Sequence, residues 1–295
     1  MKDPTRAGNE LIEKGQRQRS NKPWLIVASI ILLFFSILTL APFYFMIVSS
    51  FKSGTELVRN GINLSLNPDV MTLKNYWLLI TEKESIYLHW YKNSLLITFI
   101  QTMVSVFLSA LVGYGLAVYR FKGRNLIFVL VLVVMMVPIE ILLLPLYKLT
   151  INLKIVDTYV GAIFPFAVPA GAVFFFRQYS VGLPEELIDS GRIDGCTEIG
   201  IFFKIMTPLM KPAFGAMIIL QAMFSWNNFV WPLIALRSNE NLTLPIGLAS
   251  LITPYGNNYD MLMPGAVMSV IPIIVVFLFN QKSFISGLTV GAIKE

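Results

Sequence analysis

The residues of this chain that could carry chemistry are few, and most of them argue against an enzyme. There is one histidine, His89, and one cysteine, Cys196, so neither a multi-histidine metal site nor an internal disulfide framework can form. The HExxH, GxSxG and GxxxxGK[ST] motifs of metalloproteases, serine hydrolases and nucleotide-binding proteins do not occur. We therefore predict that the chain is not an enzyme, holds no cofactor and does not hydrolyse ATP itself.

The composition instead indicates an integral membrane protein. Of the 295 residues, 56% are hydrophobic and only 14% are charged, whereas charged residues make up about a quarter of ordinary soluble domains. A helix needs about 20 apolar residues to cross about 30 Å of hydrocarbon. Stretches of that kind predict an all-α fold with six transmembrane helices, at about 24–48, 94–118, 126–146, 159–176, 211–237 and 260–282.

The distribution of basic residues predicts the orientation. With both termini in the cytoplasm, the inner segments hold 15 of the 23 lysines and arginines, including the short loop 119–125. The net charge of +6 therefore reflects topology rather than nucleic-acid binding. We predict a cytoplasmic tail over 1–23, a six-helix domain over 24–280 and a second cytoplasmic tail over 281–295. The first apolar run is too long for a signal peptide, which makes it an uncleaved helix.

Four residues within the predicted spans could line a path for a polar solute. Glu140 is the one acid inside a span, and an intramembrane acid either serves function or forms a structural hydrogen bond beside Pro138. Trp226, Asn227 and Asn228 offer an aromatic face and two amides, which suit the C–H faces and hydroxyls of a sugar. The alternative for these three is hydrogen bonding between helices.

The longest inner loop between spans, 177–212, is the most informative segment. Pro184 and the two glutamates after it predict a helix start, and Leu187, Ile188 and Gly191 share one face of that helix. Gly195 breaks it. A second helix is predicted from Thr197 to Met206, ended by Pro208 and Pro212, with an apolar stripe of Ile199, Phe202, Phe203 and Met206. The apolar sides of both helices need cover from the bundle or from a soluble partner.

This loop resembles the coupling segment of the permeases of ATP-binding-cassette importers, whose pattern is E-A-A-x(3)-G-x(9)-I-x-L-P. The spacing of glycine, isoleucine and proline is kept, and aspartate, serine, glycine and threonine replace four other positions; the matching residues are Asp189, Ser190, Gly191, Gly195, Ile205, Thr207 and Pro208. The flanking sequence is similar to that of carbohydrate permeases, especially the maltose permease MalG and its relatives. Segments around Pro138, Ser225–Leu233 and Gly287 extend the likeness over most of residues 90–295.

The resemblance implies a MalG-like type I importer fold and a coupling role for the loop. In this family the loop helix docks on an ATPase subunit, and closure of the ATPases moves the permease between inward- and outward-facing states. On that basis the coupling residues are Glu186, Asp189, Ser190, Gly191, Arg192, Asp194 and Gly195. The alternative for Asp189 and Asp194 is a solvated helix face or a cap.

The resemblance also implies partners and a location. They are a second, non-identical permease (MalF-like), two ATP-binding subunits that hold ATP and magnesium, and an extracytoplasmic sugar-binding protein, in a bacterial inner membrane and without nucleic acid. The outer loop 237–260 either reaches into the binding protein or is a plain connector. Two other functions remain open: a permease for a non-sugar solute, and an ATP-independent channel or carrier.

Overall fold

The computed structural model describes residues 23–61, 66–254 and 256–289. The predicted N-terminal tail, up to residue 22, and the last six residues of the predicted C-terminal tail lie outside the described residues. Helices dominate the described chain. In chain order the first eight are α1 Pro23–Ser50, α2 Gly54–Asn60, α3 Lys74–Thr81, α4 Ile86–Val118, α5 Arg124–Met135, α6 Ile139–Asn152, α7 Tyr159–Ile163 and α8 Ala170–Val181.

The second half of the chain contains shorter elements and the last long helix. They are α9 Glu186–Ile193, α10 Glu198–Ile201, a π-helical stretch Phe202–Met206, α11 Thr207–Leu209, α12 Lys211–Trp226, α13 Val230–Ala235, α14 Leu244–Ser250, strands β1 Ile252–Thr253 and β2 Gly256–Asn257, and α15 Tyr259–Thr289. Short 3-10 turns lie at Pro68–Val70, Glu82–Ser85, Phe164–Phe166 and Asn239–Asn241. The antiparallel β1–β2 hairpin is a small exception to the predicted all-α fold.

The described residues can cross a membrane six times, but only three of the crossings are continuous helices. By length and composition, α1, α4 and α15 are each sufficient to span. The other three candidates are helix pairs bent by 106°, 46° and 79°, namely α5 with α6, α7 with α8, and the segment Glu198–Leu209 with α12. The prediction of six spans therefore holds if each bent pair counts as one.

The third span was predicted as one helix over 126–146, and this is wrong in detail. α5 ends at Met135 and α6 begins at Ile139, with Pro138 between them. Proline lacks a backbone N–H and disfavours helical geometry in the residue before it, so the helix stops there. Twelve residues of α5 reach about 18 Å, less than the thickness of the hydrocarbon core.

The core forms around α4, which packs against α8 and α12, while α12 packs on α15 and α15 on α1. Ser105, Ser109 and Gly113 are buried along α4 at every fourth position. A Cβ on Gly113 would lie 2.7–2.9 Å from Phe176 Cβ, the Arg177 nitrogen and the Val173 oxygen of α8. Small residues at this spacing allow two helix backbones to approach closely.

The extramembrane segments around α14 pack closely onto the start of α4. Asn93 donates to the carbonyl oxygens of Glu240 at 2.6 Å and Leu242 at 3.0 Å, and Trp90 donates to that of Asn239 at 2.9 Å. A Cβ on Gly247 would lie 2.1 Å from the Trp90 ring, so only glycine fits there. This end of the bundle is therefore braced by direct contacts with the 237–251 segment.

Candidate coupling site and solute path

The predicted coupling loop folds into a unit on one end of the bundle. We call it the coupling unit; it comprises α9 Glu186–Ile193 and the second helical segment, 198–206. Ile188 of α9 and Ile201, Phe202 and Met206 of the second helical segment are buried in a cluster with Phe176 of α8. A Cβ on Gly191 would lie 2.6 Å from Ile205 Cδ1, so the glycine lets α9 approach the second segment. Both helices are thus held against the ends of α4 and α8 before any partner binds.

Some side chains of the two predicted apolar faces are exposed rather than packed against the bundle. Leu187 was predicted to share a face with Ile188 and Gly191, but its side chain is exposed while theirs are buried. Within the second predicted stripe, Ile199 is 72% and Phe203 50% exposed. The buried positions of this segment are Ile201, Phe202 and Met206, and its residues 202–206 are π-helical.

The second helical segment also does not end at Pro208. The helical backbone continues through Leu209, and Pro212 lies in the first turn of α12. In the π-helical stretch, the Thr207 N–H bonds to the Phe202 oxygen, and the Thr207 hydroxyl donates to the same oxygen at 2.8 Å. The wider π-helical turn thus comes directly before Pro208, which has no backbone N–H to donate.

Arg192 links the two coupling helices and a bundle helix. Its Nε lies 2.8 Å from Glu198 Oε1, and its Nη1 lies 3.1 Å from Asp189 Oδ1. Tyr119, just after α4, donates its hydroxyl to Glu198 Oε2 at 2.8 Å. The hydrogen bonds from Arg192 and Tyr119 lower the pKa of Glu198. We call Tyr119, Asp189, Arg192 and Glu198 the latch; the sequence did not single out Tyr119 or Glu198.

We expect Arg192→Gln to loosen the latch without unfolding the chain. All of its ion pairs are exposed, so hydrogen exchange over 196–206 should rise only about twofold to fivefold. Because the pKa of Glu198 is lowered, the contribution of its carboxylate is present at neutral pH and is lost as the pH falls through the folded-state value. Hydrogen–deuterium exchange of the assembled complex measures the change in exchange rate over 196–206. The control is Arg59→Gln, which changes an exposed arginine of α2. Equal exchange in the two variants would contradict a role for the latch.

The other predicted coupling residues lie on the outer surface of this unit. Glu186, Ser190 and Asp194 are exposed, and Gly195 has φ +78°, a left-handed conformation that suits glycine after a helix end. Beside them Ile193 is 86% exposed. We call Ile193, Ile199, Leu187 and Phe203 the apolar tips; of these, only Ile193 lay outside the predicted apolar faces.

Three of the four predicted path residues lie in one cavity. Glu140 at the start of α6 and Asn227 and Asn228 after α12 line a cavity of about 340 Å³ together with Phe224 and Trp231. Asn227 Nδ2 donates to the Met223 oxygen at 2.8 Å, which fixes its amide. The break at Pro138 places Glu140 here, because it puts the carboxylate in the first turn of a new helix.

Trp226 does not line this cavity. It is 5% exposed, its Nε1 donates to the Ser269 oxygen of α15 at 3.1 Å, and its ring packs edge-on against Tyr91. The structure therefore gives Trp226 the interhelical role that was its alternative. Trp231, which donates to the Gly161 oxygen at 3.2 Å, frames the cavity instead.

At the opposite end of the bundle from the latch, the Asp157 carboxylate binds the start of the predicted outer loop 237–260. We call this contact the clasp. Asp157 Oδ1 accepts the backbone N–H groups of Arg237 at 2.8 Å and Ser238 at 3.1 Å, and Oδ2 accepts the Ser238 hydroxyl. Partial burial would raise the pKa of Asp157, but these hydrogen bonds outweigh it and hold the value at about 2. The clasp ties the turn after α6 to the start of the predicted outer loop 237–260.

We expect Asp157→Asn to destabilise the clasp by about 1 kcal/mol, the difference between charged and neutral hydrogen bonds. Asparagine tolerates the left-handed backbone here, φ +60°, so the change removes the charge and one acceptor oxygen without straining the backbone. Because the folded-state pKa is lowered, the carboxylate stabilises the protein above about pH 4 and loses that effect as the pH falls through 2. Thermal unfolding should show the same deficit at pH 8, 6 and 5. Asp69→Asn, at an exposed 3-10 turn, is the control; an equal deficit there would refute the clasp.

A resident metal site is not evident in the part of the chain that the structure describes. No group of three His, Cys, Asp or Glu residues converges there. Cys196 is a half-buried free thiol between the coupling helices, and the His89 ring lies 3.3 Å from the Ser85 oxygen on the surface.

Comparison with known proteins places these features in a family. Residues 105–283 match the family model described as "Binding-protein-dependent transport system inner membrane component". The chain is 57% identical over 269 residues to the arabinooligosaccharides transport system permease protein AraQ of Bacillus subtilis strain 168, covering 91% of this chain and 95% of that protein. It is 29% identical to the lactose transport system permease protein LacG of Rhizobium radiobacter, covering 87% and 92%.

A solved structure shares the fold. A chain of the crystal structure of a bacterial ABC transporter involved in the import of the acidic polysaccharide alginate matches with a TM-score of 0.77. The match covers 90% of this chain and 98% of that one at 23% sequence identity. At that identity the match speaks for the fold alone.

Proposed function

Because this chain belongs to the family of binding-protein-dependent transport system inner membrane components, we propose that it is the permease subunit of an importer for arabinose-containing oligosaccharides. The observation that carries the sugar assignment is the 57% identity to a permease named for arabinooligosaccharides, which extends over nearly the whole of both chains. The lactose permease among its relatives supports the wider class of carbohydrate importers.

Membership of the family confirms the resemblance on which the fold prediction rested. The chain is a multi-pass inner-membrane component with a type I importer-permease fold, and it is a permease rather than an enzyme. The alternative of an ATP-independent channel or carrier loses its support, because the family works with binding proteins in driven import.

We assign the cavity beside α6 to the solute path. Asn227 and Asn228 offer amide donors and acceptors, and the exposed Glu140 carboxylate can accept two hydroxyl hydrogen bonds. Phe224, which is 48% exposed, supplies an aromatic face for the C–H side of a sugar ring. A few polar groups in an otherwise apolar cavity are typical of small-molecule sites.

We assign the coupling unit to contact with ATP-binding subunits. The apolar tips are exposed on a unit whose other side is already packed, which is the arrangement expected of a surface that a protein partner covers. A second, non-identical permease would complete the path, two ATP-binding subunits would hold ATP and magnesium, and an extracytoplasmic binding protein would deliver the sugar.

The orientation follows from the same assignment. Tyr119 bonds to Glu198, so the basic loop 119–125 and the coupling unit lie on one side of the bundle. If ATP-binding subunits dock there, that side is cytoplasmic, in agreement with the predicted positive-inside topology and with cytoplasmic termini.

The test is to purify the assembled importer with its binding protein in nanodiscs and to measure ATPase activity with a panel of solutes. We expect arabinooligosaccharides to stimulate hydrolysis and lactose or glycerol phosphate to have no effect. Asn228→Leu should reduce sugar-dependent transport, whereas Asn60→Leu, an exposed residue of α2, should not. Stimulation by a non-sugar solute alone would overturn the sugar assignment, and solute flux without ATPase subunits would overturn coupling.

A further inference from the structure

A basic groove lies between α4 and α5, on the same side of the bundle as the coupling unit. The turn that joins the two helices opens a groove of about 480 Å³ lined by Arg120, Phe121, Lys122, Arg124 and Asn125. Arg120 and Lys122 are exposed and Arg124 is half-buried. Three cations thus converge within five residues on an open, concave surface.

Among the described residues, these cations form no ion pair with an acid. Both ion pairs among the described residues involve Arg192 rather than the groove. Glu198, which accepts from Tyr119 immediately before Arg120, is already held by Arg192 as well. Arg124 instead directs Nη1 at the Tyr119 oxygen, at 3.4 Å. Within the part of the chain that the structure describes, the groove therefore carries a net positive charge.

A fourth cation reaches the region from α8. The Arg177 guanidinium stacks on the Phe128 ring with its carbon 3.7 Å from the ring centroid, and Phe128 lies one turn along α5 from Arg124. Arg177 Nε is buried and has no hydrogen-bond partner in the described structure. Arg177 therefore brings an unsatisfied donor to a ring one helical turn from the groove, where an anion would provide an acceptor.

An apolar surface continues directly from the groove. Along α5 the side chains of Leu126, Leu130, Val133 and Val134 are each more than half exposed. Phe121 at the groove is 45% exposed, a position that suits an aromatic ring at the membrane interface. A ligand that satisfies both surfaces has an anionic head and apolar chains.

We propose that the 120–125 turn binds the phosphate headgroup of an anionic phospholipid, whose acyl chains lie along α5. Basic pockets between transmembrane helices take anionic lipid headgroups in this way. A free phosphate would leave the apolar surface of α5 unused, so the lipid is the better fit. The site is independent of the transported solute, and its failure would leave the proposed sugar import untouched.

The experiment is native mass spectrometry of the whole importer released from nanodiscs of phosphatidylcholine doped with phosphatidylglycerol. The triple variant R120Q/K122Q/R124Q should retain phosphatidylglycerol about tenfold less well than the wild type. The matched control K74Q/K92Q/K148Q removes three exposed lysines of the outer segments and should retain it normally. Lys122→Glu alone should produce a smaller loss in the same direction.

Four results would overturn the proposal. The first is equal phosphatidylglycerol retention in the triple variant and the wild type, and the second is retention of phosphatidylcholine by the wild type as strong as that of phosphatidylglycerol. The third is displacement of the lipid by millimolar inorganic phosphate, and the fourth is loss of the ATP-binding subunits from the triple-variant complex. The third would identify a free-phosphate site, and the fourth a protein interface.

Discussion

Replacing Ile193 by aspartate is expected to reduce solute-stimulated ATP hydrolysis at least about tenfold and to release the ATP-binding subunits during purification. Ile193 is the most exposed of the apolar tips, at 86%, and lies at the end of α9. Burying an isoleucine at a contact stabilises it by about 1.5–3 kcal/mol. A carboxylate in its place would also lose its hydration.

The control must separate docking from folding. Val58 of α2 is 71% exposed, so Val58→Asp puts the same charge on an apolar surface residue away from the coupling unit. Both variants should unfold thermally like the wild type, because neither side chain contributes to the core. Normal ATPase coupling in Ile193→Asp would refute the assignment of the apolar tips to the ATPase contact.

Replacing Gly113 by alanine is expected to destabilise the bundle by about 1–3 kcal/mol, the usual effect of inserting a methyl group into a filled core. The new Cβ would lie 2.8 Å from the Arg177 nitrogen and 2.9 Å from the Val173 oxygen, and these backbone atoms cannot move without shifting α8. Since α8 also supports the coupling unit through Phe176, transport should fall together with stability.

Gly115 provides a control two residues along the same helix. A Cβ there would meet nothing within 4 Å. Gly115→Ala should therefore be neutral or stabilising by up to about 1 kcal/mol, because alanine is the better helix former. Thermal unfolding of the two purified variants measures the difference. Equal melting temperatures would mean that α4 and α8 are not packed as closely as described.

The sequence alone determined the class of protein, and it predicted which segment couples to a partner. Apolar run length, the positive-inside bias and the glycine–isoleucine–proline spacing of the coupling loop depend only on local composition and order. The comparisons confirm the fold and the permease function that these features predicted. Glu140 and the two asparagines, which were chosen for their chemistry, lie in one cavity.

Only the tertiary structure decided which way the coupling side chains point. Helical periodicity grouped Leu187 with Ile188 and Ile199 with Phe202, and the structure exposes the first member of each pair while it buries the second. The tertiary structure also places Trp226 in the core and brings Tyr119 into hydrogen-bond contact with Glu198, although the two residues are 79 positions apart. Hydrogen bonds between distant residues depend on how helices approach one another, and no local pattern in a single sequence records that geometry.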